Sequence, residues 1–217
     1  MLKANKKTLI IASLVTILPI IIGLYFWDRL PDTMATHFGI DNQADGFSSK
    51  PIAVFGIPLL CLAVLWIGAV VTANDPKKQN ISSKMFTLGL WIAPIVSLIA
   101  AATMYSVNLG YAMDITYVGS LIVGLLLTII GNYAPKARQN YTIGIKLPWT
   151  LANEENWNRT HRFAGYLWIV CGILMVAFAL FRVLQPSFII AFIALAVLLP
   201  FGYSFWLHIA KDRKSVV

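Results

Sequence analysis

Charge is what this 217-residue chain has little of. Asp, Glu, Lys and Arg together make up 12% of it, and only nine residues are acidic. None of the four falls in the centre of a long apolar run. That weighs against ion- and proton-coupled transport, which usually needs an ionisable group inside the membrane. Cysteine is scarce as well. Cys61 and Cys171 each lie near the middle of an apolar run and read as packing thiols, not as a disulfide framework. No Cys/His spacing resembles a zinc site. There is no Gly-x-Ser-x-Gly, no His-Glu-x-x-His and no pair of intramembrane carboxylates, so hydrolase chemistry has no motif to rest on. No internal repeat is visible, although a transporter built from inverted repeats would often show one.

What is present is apolar. Hydrophobic residues make up 59% of the chain, and the mean hydropathy is +0.75. Six runs stand out: Leu9–Trp27, Ile52–Ala73, Met85–Val107, Ile115–Gly131, Ala164–Leu184 and Phe188–Leu207. Each is about long enough to cross ~30 Å of hydrocarbon as a helix. Backbone inside lipid must satisfy its own hydrogen bonds, so such runs are helices. A soluble protein would have almost nothing left to cover them. The sequence therefore predicts an all-α integral membrane protein with six transmembrane helices, a single membrane domain over 1–217. The first run is too long for a signal-peptide core and no small-x-small site follows it, so it reads as a span. Pro19, Pro58, Pro94 and Pro200 lie inside spans, where each removes a helix hydrogen bond.

Lys and Arg set the orientation. With a cytoplasmic N-terminus, the inside segments hold fourteen of the seventeen: Lys3, Lys6, Lys7, Lys77, Lys78, Lys84, Lys136, Arg138, Lys146, Arg159, Arg162, Lys211, Arg213 and Lys214. Arg29, Lys50 and Arg182 remain outside. Both termini are thus predicted to be cytoplasmic, with one long outer loop (28–50) and one long cytoplasmic or interfacial segment (131–165). The net charge of +8 is spread over four separate segments. It reads as an orientation signal, with no direct nucleic-acid partner.

The outer loop, L-P-D-T-M-A-T-H-F-G-I-D-N-Q-A-D-G-F-S-S-K-P, is biased towards acid by Asp32, Asp41 and Asp45. Gly39 and Asp45-Gly46 are turn chemistry, and Phe38 and Phe47 could rest among lipid headgroups. His37 lies near Asp41 and Asp45 in sequence, yet the loop offers too few ligands for a metal. In the cytoplasmic segment, Tyr141, Ile143, Ile145 and Leu147 alternate with polar or small residues, the pattern of a short extended piece. Pro148 keeps Leu147 out of the helical region. Asn153 suits a helix N-cap, with Glu154 and Glu155 in the positive first turn. From there Trp157, His161, Gly165 and Trp168 share one helix face. The segment taken alone also reads as an interfacial anchor, with aromatics at the headgroups and arginines on phosphate.

The stretch N-Y-T-I-G-I-K-L-P-W-T-L-A-N-E-E-N-W-N-R-T-H-R-F-A-G, residues 140–165, resembles the signature of SdpI-type immunity proteins. The outer loop is similar to the L-P…H-F…D-G…K pattern found in many of them. The resemblance implies a bacterial membrane protein giving resistance to a secreted toxic peptide, and a receptor that captures a cytoplasmic autorepressor. It implies signature positions Asn140, Gly144, Lys146, Pro148, Trp149, Thr150, Glu154, Trp157, His161 and Arg162, and it brings no catalytic residue, metal or cofactor. His37, Asp45 and Lys50 are candidates to face the toxin, and the lipid bilayer is the remaining partner. Related sequences often carry Arg at the position of Lys146 and a polar residue at that of Leu147, so a bidentate contact there would be lost. A transporter, of a peptide or a small molecule, and a membrane enzyme using His161 with Glu154 or Glu155 stay open as alternatives.

The charge asymmetry yields a first test. With Cys61 and Cys171 replaced, single cysteines at Asn42 and Gln185 should react with impermeant thiol reagents on intact cells, whereas cysteines at Gln79 and Gln139 should not. The reverse pattern would invert the orientation.

Overall fold

The computed structural model describes residues 1–39, 41–183 and 185–215, with side chains up to Ala210. Leu184, the expected end of the fifth span, is outside the described residues, and the side chains of Lys211, Arg213 and Lys214 are outside those described. The chain is predominantly helical. Six helices are long and apolar enough to cross a membrane: Lys3–Tyr25, Ile52–Ala73, Ser83–Asn108, Ile115–Lys136, Glu154–Leu180 and Pro186–Ala210. They coincide with the six apolar runs, and the fifth starts earlier because the Asn153 cap launches it before the apolar stretch begins. Two units pack separately, one formed by Met1–Asn74 with Ser82–Ile115, the other by Asp75–Ile81 with Thr116–Val217.

The first unit holds α1 (Lys6–Tyr25), α2 (Ile57–Ala73) and α3 (Ser83–Asn108). Between α1 and α2 the chain is not an irregular loop. It forms a two-stranded antiparallel hairpin of β1 (Thr33–Phe38) and β2 (Ala44–Ser49). Thr33–Phe38 carries no strict apolar–polar alternation, and turn residues surround it. A wide helical turn over Ile52–Gly56 leads into α2 just ahead of Pro58, the kind of local adjustment that accommodates a proline in a span. Met34 of β1 is fully buried in a cluster with Leu30, Ala53, Val54, Ala101, Met104 and Tyr105. The Tyr105 hydroxyl donates to the Pro19 carbonyl at 2.9 Å, and the Ser97 hydroxyl donates to that of Thr16 at 2.7 Å. These bonds tie α3 to the proline-bearing stretch of α1.

The second unit holds α4 (Ile115–Tyr133), a short α5 (Pro148–Ala152), α6 (Glu154–Leu180) and α7 (Pro186–Ser215). Helices α4 and α6 cross at glycine. A Cβ on Gly124 would stand 2.8 Å from the Gly172 carbonyl, and one on Gly131 would stand 2.8 Å from that of Gly165. Lipid tails give helices no hydrophobic reason to associate, so backbones that approach this closely gain van der Waals contact instead. Gly165 also abuts Pro135.

Helices α6 and α7 form an antiparallel pair. Phe163 meets Tyr203 and Phe178 meets Phe188 and Phe192. Between these contacts the Trp168 indole N–H donates to the Ala196 carbonyl at 2.7 Å. That carbonyl lies four residues before Pro200 and is the group the proline cannot bond. Trp168→Phe keeps the ring but orphans the acceptor. It should lower stability by about 1–2 kcal/mol, read as an earlier thermal-unfolding midpoint in detergent than that of the wild type.

Candidate functional site

Two polar clusters stand out, one in each unit. In the first, Asn108 at the end of α3 clasps β1. Its side-chain oxygen accepts from the Ala35 N–H and its amide donates to the Ala35 carbonyl, both at 2.9 Å. The amide thus acts as a one-residue strand on that edge of the hairpin. Of the candidates to face a toxin, His37 and Asp45 are exposed and meet through Nδ1 and Oδ1 at 2.5 Å. Lys50 behaves differently. Its ammonium is nearly buried, donates to the Trp27 carbonyl at 3.2 Å, pairs with Asp32 at 3.1 Å and lies over the Trp27 ring. It braces the hairpin base. Phe47 is 61% exposed. Among the described residues no three His, Cys, Asp or Glu side chains gather as a metal site.

The second cluster is the segment after α4. The extended piece expected over Tyr141–Leu147 does not form. Asn140 is fully buried and folds the chain around itself. Its oxygen accepts from the Thr142 and Ile143 N–H groups at 2.9 and 2.7 Å, and its amide donates to the Arg138 and Ile143 carbonyls at 2.8 and 3.0 Å. This local competition with strand structure is what Asn side chains do in turns. Gly144 follows with φ +128°, and a Cβ there would strike His161 Nε2 and stand 2.9 Å from the Trp157 ring.

Trp157 and His161 are stacked, with ring centroids 4.1 Å apart, and both are buried. The Trp157 indole donates to the Ala137 carbonyl at 2.7 Å. His161 Nδ1 lies 2.8 Å from the Trp157 carbonyl, which can only accept, and Nε2 receives the Ile145 N–H at 2.8 Å. The two partners require a neutral imidazole with its proton on Nδ1. Both ring nitrogens are taken by backbone, so His161 does not form the acid–base pair with Glu154 or Glu155. Glu154 is exposed, and Glu155 pairs with Arg159 at 3.5 Å. Neither ring of the stack can serve as a headgroup anchor.

Thr150 is fully buried in the turn before α6. Its hydroxyl accepts from the Leu147 N–H at 2.9 Å and donates to the Ile145 carbonyl at 2.8 Å. Pro148 opens α5, where its missing N–H costs nothing. Trp149 packs on α7 against Phe201, Phe205 and His208, and its indole donates to Ser204 at 3.0 Å. The Asn153 side chain caps α6 as expected, accepting from the Glu155 and Asn156 N–H groups at 3.0 and 3.2 Å. Lys146 and Arg162 are exposed, and the Lys146 ammonium returns to the Thr142 carbonyl at 3.1 Å.

Several residues of this cluster were not read from the sequence. Asp75, between α2 and α3, is buried and accepts from the Tyr141 N–H at 2.9 Å, the Thr142 hydroxyl at 2.8 Å and the Lys77 N–H at 2.7 Å. Gln139 donates to the Thr150 and Leu151 carbonyls at 2.9 Å and accepts from Lys77. Asn80 donates to the Gln139 carbonyl at 2.8 Å. A cysteine at Gln139 would therefore be shielded on either side of the membrane, and Tyr141, 46% exposed, is the better labelling position. The signal for Asp75 was its place as the one acid in an otherwise basic connection.

The features together define a multi-pass membrane protein whose polar chemistry is gathered at span ends, in a clasped hairpin and in a folded segment. Residues 136–204 match the SdpI/YfhL protein family, and residues 14–62 match a domain of unknown function, DUF1648. The chain is 27% identical over 179 residues to the Immunity protein SdpI of Bacillus subtilis (strain 168), covering 81% of this chain and 83% of that one. These matches relate the chain to the SdpI-type family. No solved structure matches it.

The segment's rigidity is testable with trypsin, which cuts after Arg138 and Lys146. Gly144→Ala forces a side chain into the Trp157–His161 stack at a strained φ, and Asp75→Ala orphans donors that now meet a charge. Each should cost about 2 kcal/mol and speed cleavage in membranes at least several-fold. Glu154→Ala should leave the rate at the wild-type value.

Proposed function

We propose that this chain is a membrane immunity protein that protects its cell from a secreted toxic peptide. The observation that carries this reading is the alignment with the Immunity protein SdpI over four fifths of the chain. The two polar clusters support it by offering a receiving end and a reporting end. In the orientation favoured by the charge split, the hairpin faces outward and meets the toxin, both termini are cytoplasmic, and the segment 131–165 presents itself to a cytoplasmic repressor. The 217 residues then act as one membrane domain. Coupling needs two states that the toxin binds unequally.

Burial divides the signature residues into two sets. Asn140, Thr150, Trp157 and His161 face inward. Lys146, Pro148, Glu154 and Arg162 face out. Nearby, a groove of about 330 Å³ runs between Glu155 and Arg159 of α6 and Trp206 and Leu207 of α7, room for an apolar side chain flanked by charge. The repressor is accordingly read by the exposed set.

The test is expression in Bacillus subtilis deprived of its own Immunity protein SdpI, with survival scored at matched membrane abundance. Protection by the wild type is expected, and survival no better than with empty vector overturns the reading. A reporter under the repressor separates docking from folding. Glu154→Ala or Arg162→Ala should weaken repressor capture about thirty-fold, from ~2 kcal/mol at one anchor, with insertion and resistance intact. Normal induction in both variants removes the docking role. Asp45→Ala should lower survival at unchanged abundance.

A further inference from the structure

The hairpin has one edge occupied and one edge vacant, and the register shows which groups the vacant edge offers. The Lys50 N–H donates to the Asp32 carbonyl at 2.8 Å, so that pair is of the hydrogen-bonded kind. Pairs alternate along an antiparallel ladder. Thr33 faces Ser49 with main-chain groups turned away from each other, Met34 and Ser48 bond inward, and Ala35 and Phe47 again turn away. On the β1 side the prediction of this alternation is met by Asn108, which takes the outward N–H and C=O of Ala35. On the β2 side the outward N–H and C=O groups belong to Phe47 and Ser49. Among the described residues neither has a partner on that edge.

We propose that the vacant edge of β2 takes an extended, cationic stretch of the toxic peptide as a third strand, paired main chain to main chain with Phe47 and Ser49. The proposal rests on the immunity reading above and names how that partner is held. Two outward pairs at positions i and i+2 suit a strand of about four residues in this mode of recognition. Charge selects the occupant. Residues 28–50 hold Asp28, Asp32, Asp41 and Asp45 against Arg29 and Lys50, in a chain whose net charge is +8. Lys50 and Asp32 cancel as a pair, which leaves Asp28, Asp41 and Asp45 against Arg29, and Asp45 lies on β2 itself. The exposed Phe47 ring gives the incoming strand an apolar contact, or a cation–π contact with Lys or Arg. Edges left open in this way are a hazard that proteins normally cover or blunt with lysine. Here β2 reads Ala-Asp-Gly-Phe-Ser-Ser, with no lysine.

Two measurements decide it, both on the full chain in liposomes or cells, with the secreted toxic peptide of Bacillus subtilis strain 168 as probe. Hydrogen exchange on the wild type should show the Phe47 and Ser49 amides slowed at least tenfold when the peptide is added, with the Met34 and Ser48 amides unchanged. No change at Phe47 and Ser49 while binding is saturated overturns the proposal. Slow exchange there before peptide is added would mark pairing with a second copy and also overturns it. Ser49→Pro removes an outward donor without touching a bond to β1, and should lower protection at least tenfold, whereas Ser49→Ala should protect like the wild type. Full protection by Ser49→Pro sinks edge capture and leaves the immunity reading standing. Failure of the wild type to protect sinks the immunity reading instead. If Ser49→Pro does not reach the membrane, the exchange result alone decides.

Discussion

Irregular backbone that is buried must find its hydrogen-bond partners within the chain, and this constraint shapes the buried parts of both polar clusters. The solution recurs. A side chain with a fixed pair of polar atoms replaces a missing strand or helix neighbour. Asn108 does it for Ala35, Asn140 for Thr142 and Ile143, and His161 for Ile145. Trp157 supplies the Ala137 carbonyl, and Trp168 the carbonyl freed by Pro200. Every such bond is local in energy, about 1 kcal/mol net when made and more when broken. Collectively they let non-helical chain persist at the ends of spans.

The same constraint explains what was legible in the sequence. The spans were, because a 20-residue apolar run has one outcome in lipid. The Asn153 cap was, because its acceptor and the two acids after it act within one turn. The extended reading of Tyr141–Leu147 failed because period two was weighed without Asn140, whose side chain offers the backbone a closer partner than another strand. The strands of the hairpin were hidden by Gly39, Gly46 and three Asp residues, which read as turn chemistry. Asp75 was out of reach, since its partners in the folded segment lie 66 and 67 positions away in the chain and no spacing rule connects them. Lys50 read as a candidate to face the toxin, yet its side chain is nearly buried, a fact that depends on where Trp27 and Asp32 end up.

The division of the signature into inward and outward residues changes how a mutational scan is to be understood. Trp157 is fully buried, stacked on His161 and bonded to Ala137. Truncating it opens a large void and orphans a carbonyl, for several kcal/mol, before any partner is considered. Loss of function there measures the fold of the segment. Arg162 and Glu154 are exposed, so substitutions there spare the fold of the segment and test the proposed contact. Lys146 lies between the two classes. Its ammonium reaches the Thr142 carbonyl from an exposed position, and an arginine in its place would extend a planar fork beyond that carbonyl. Lys146→Arg would keep the cation at this exposed position and change its reach, which separates the segment's fold from the contact proposed for it.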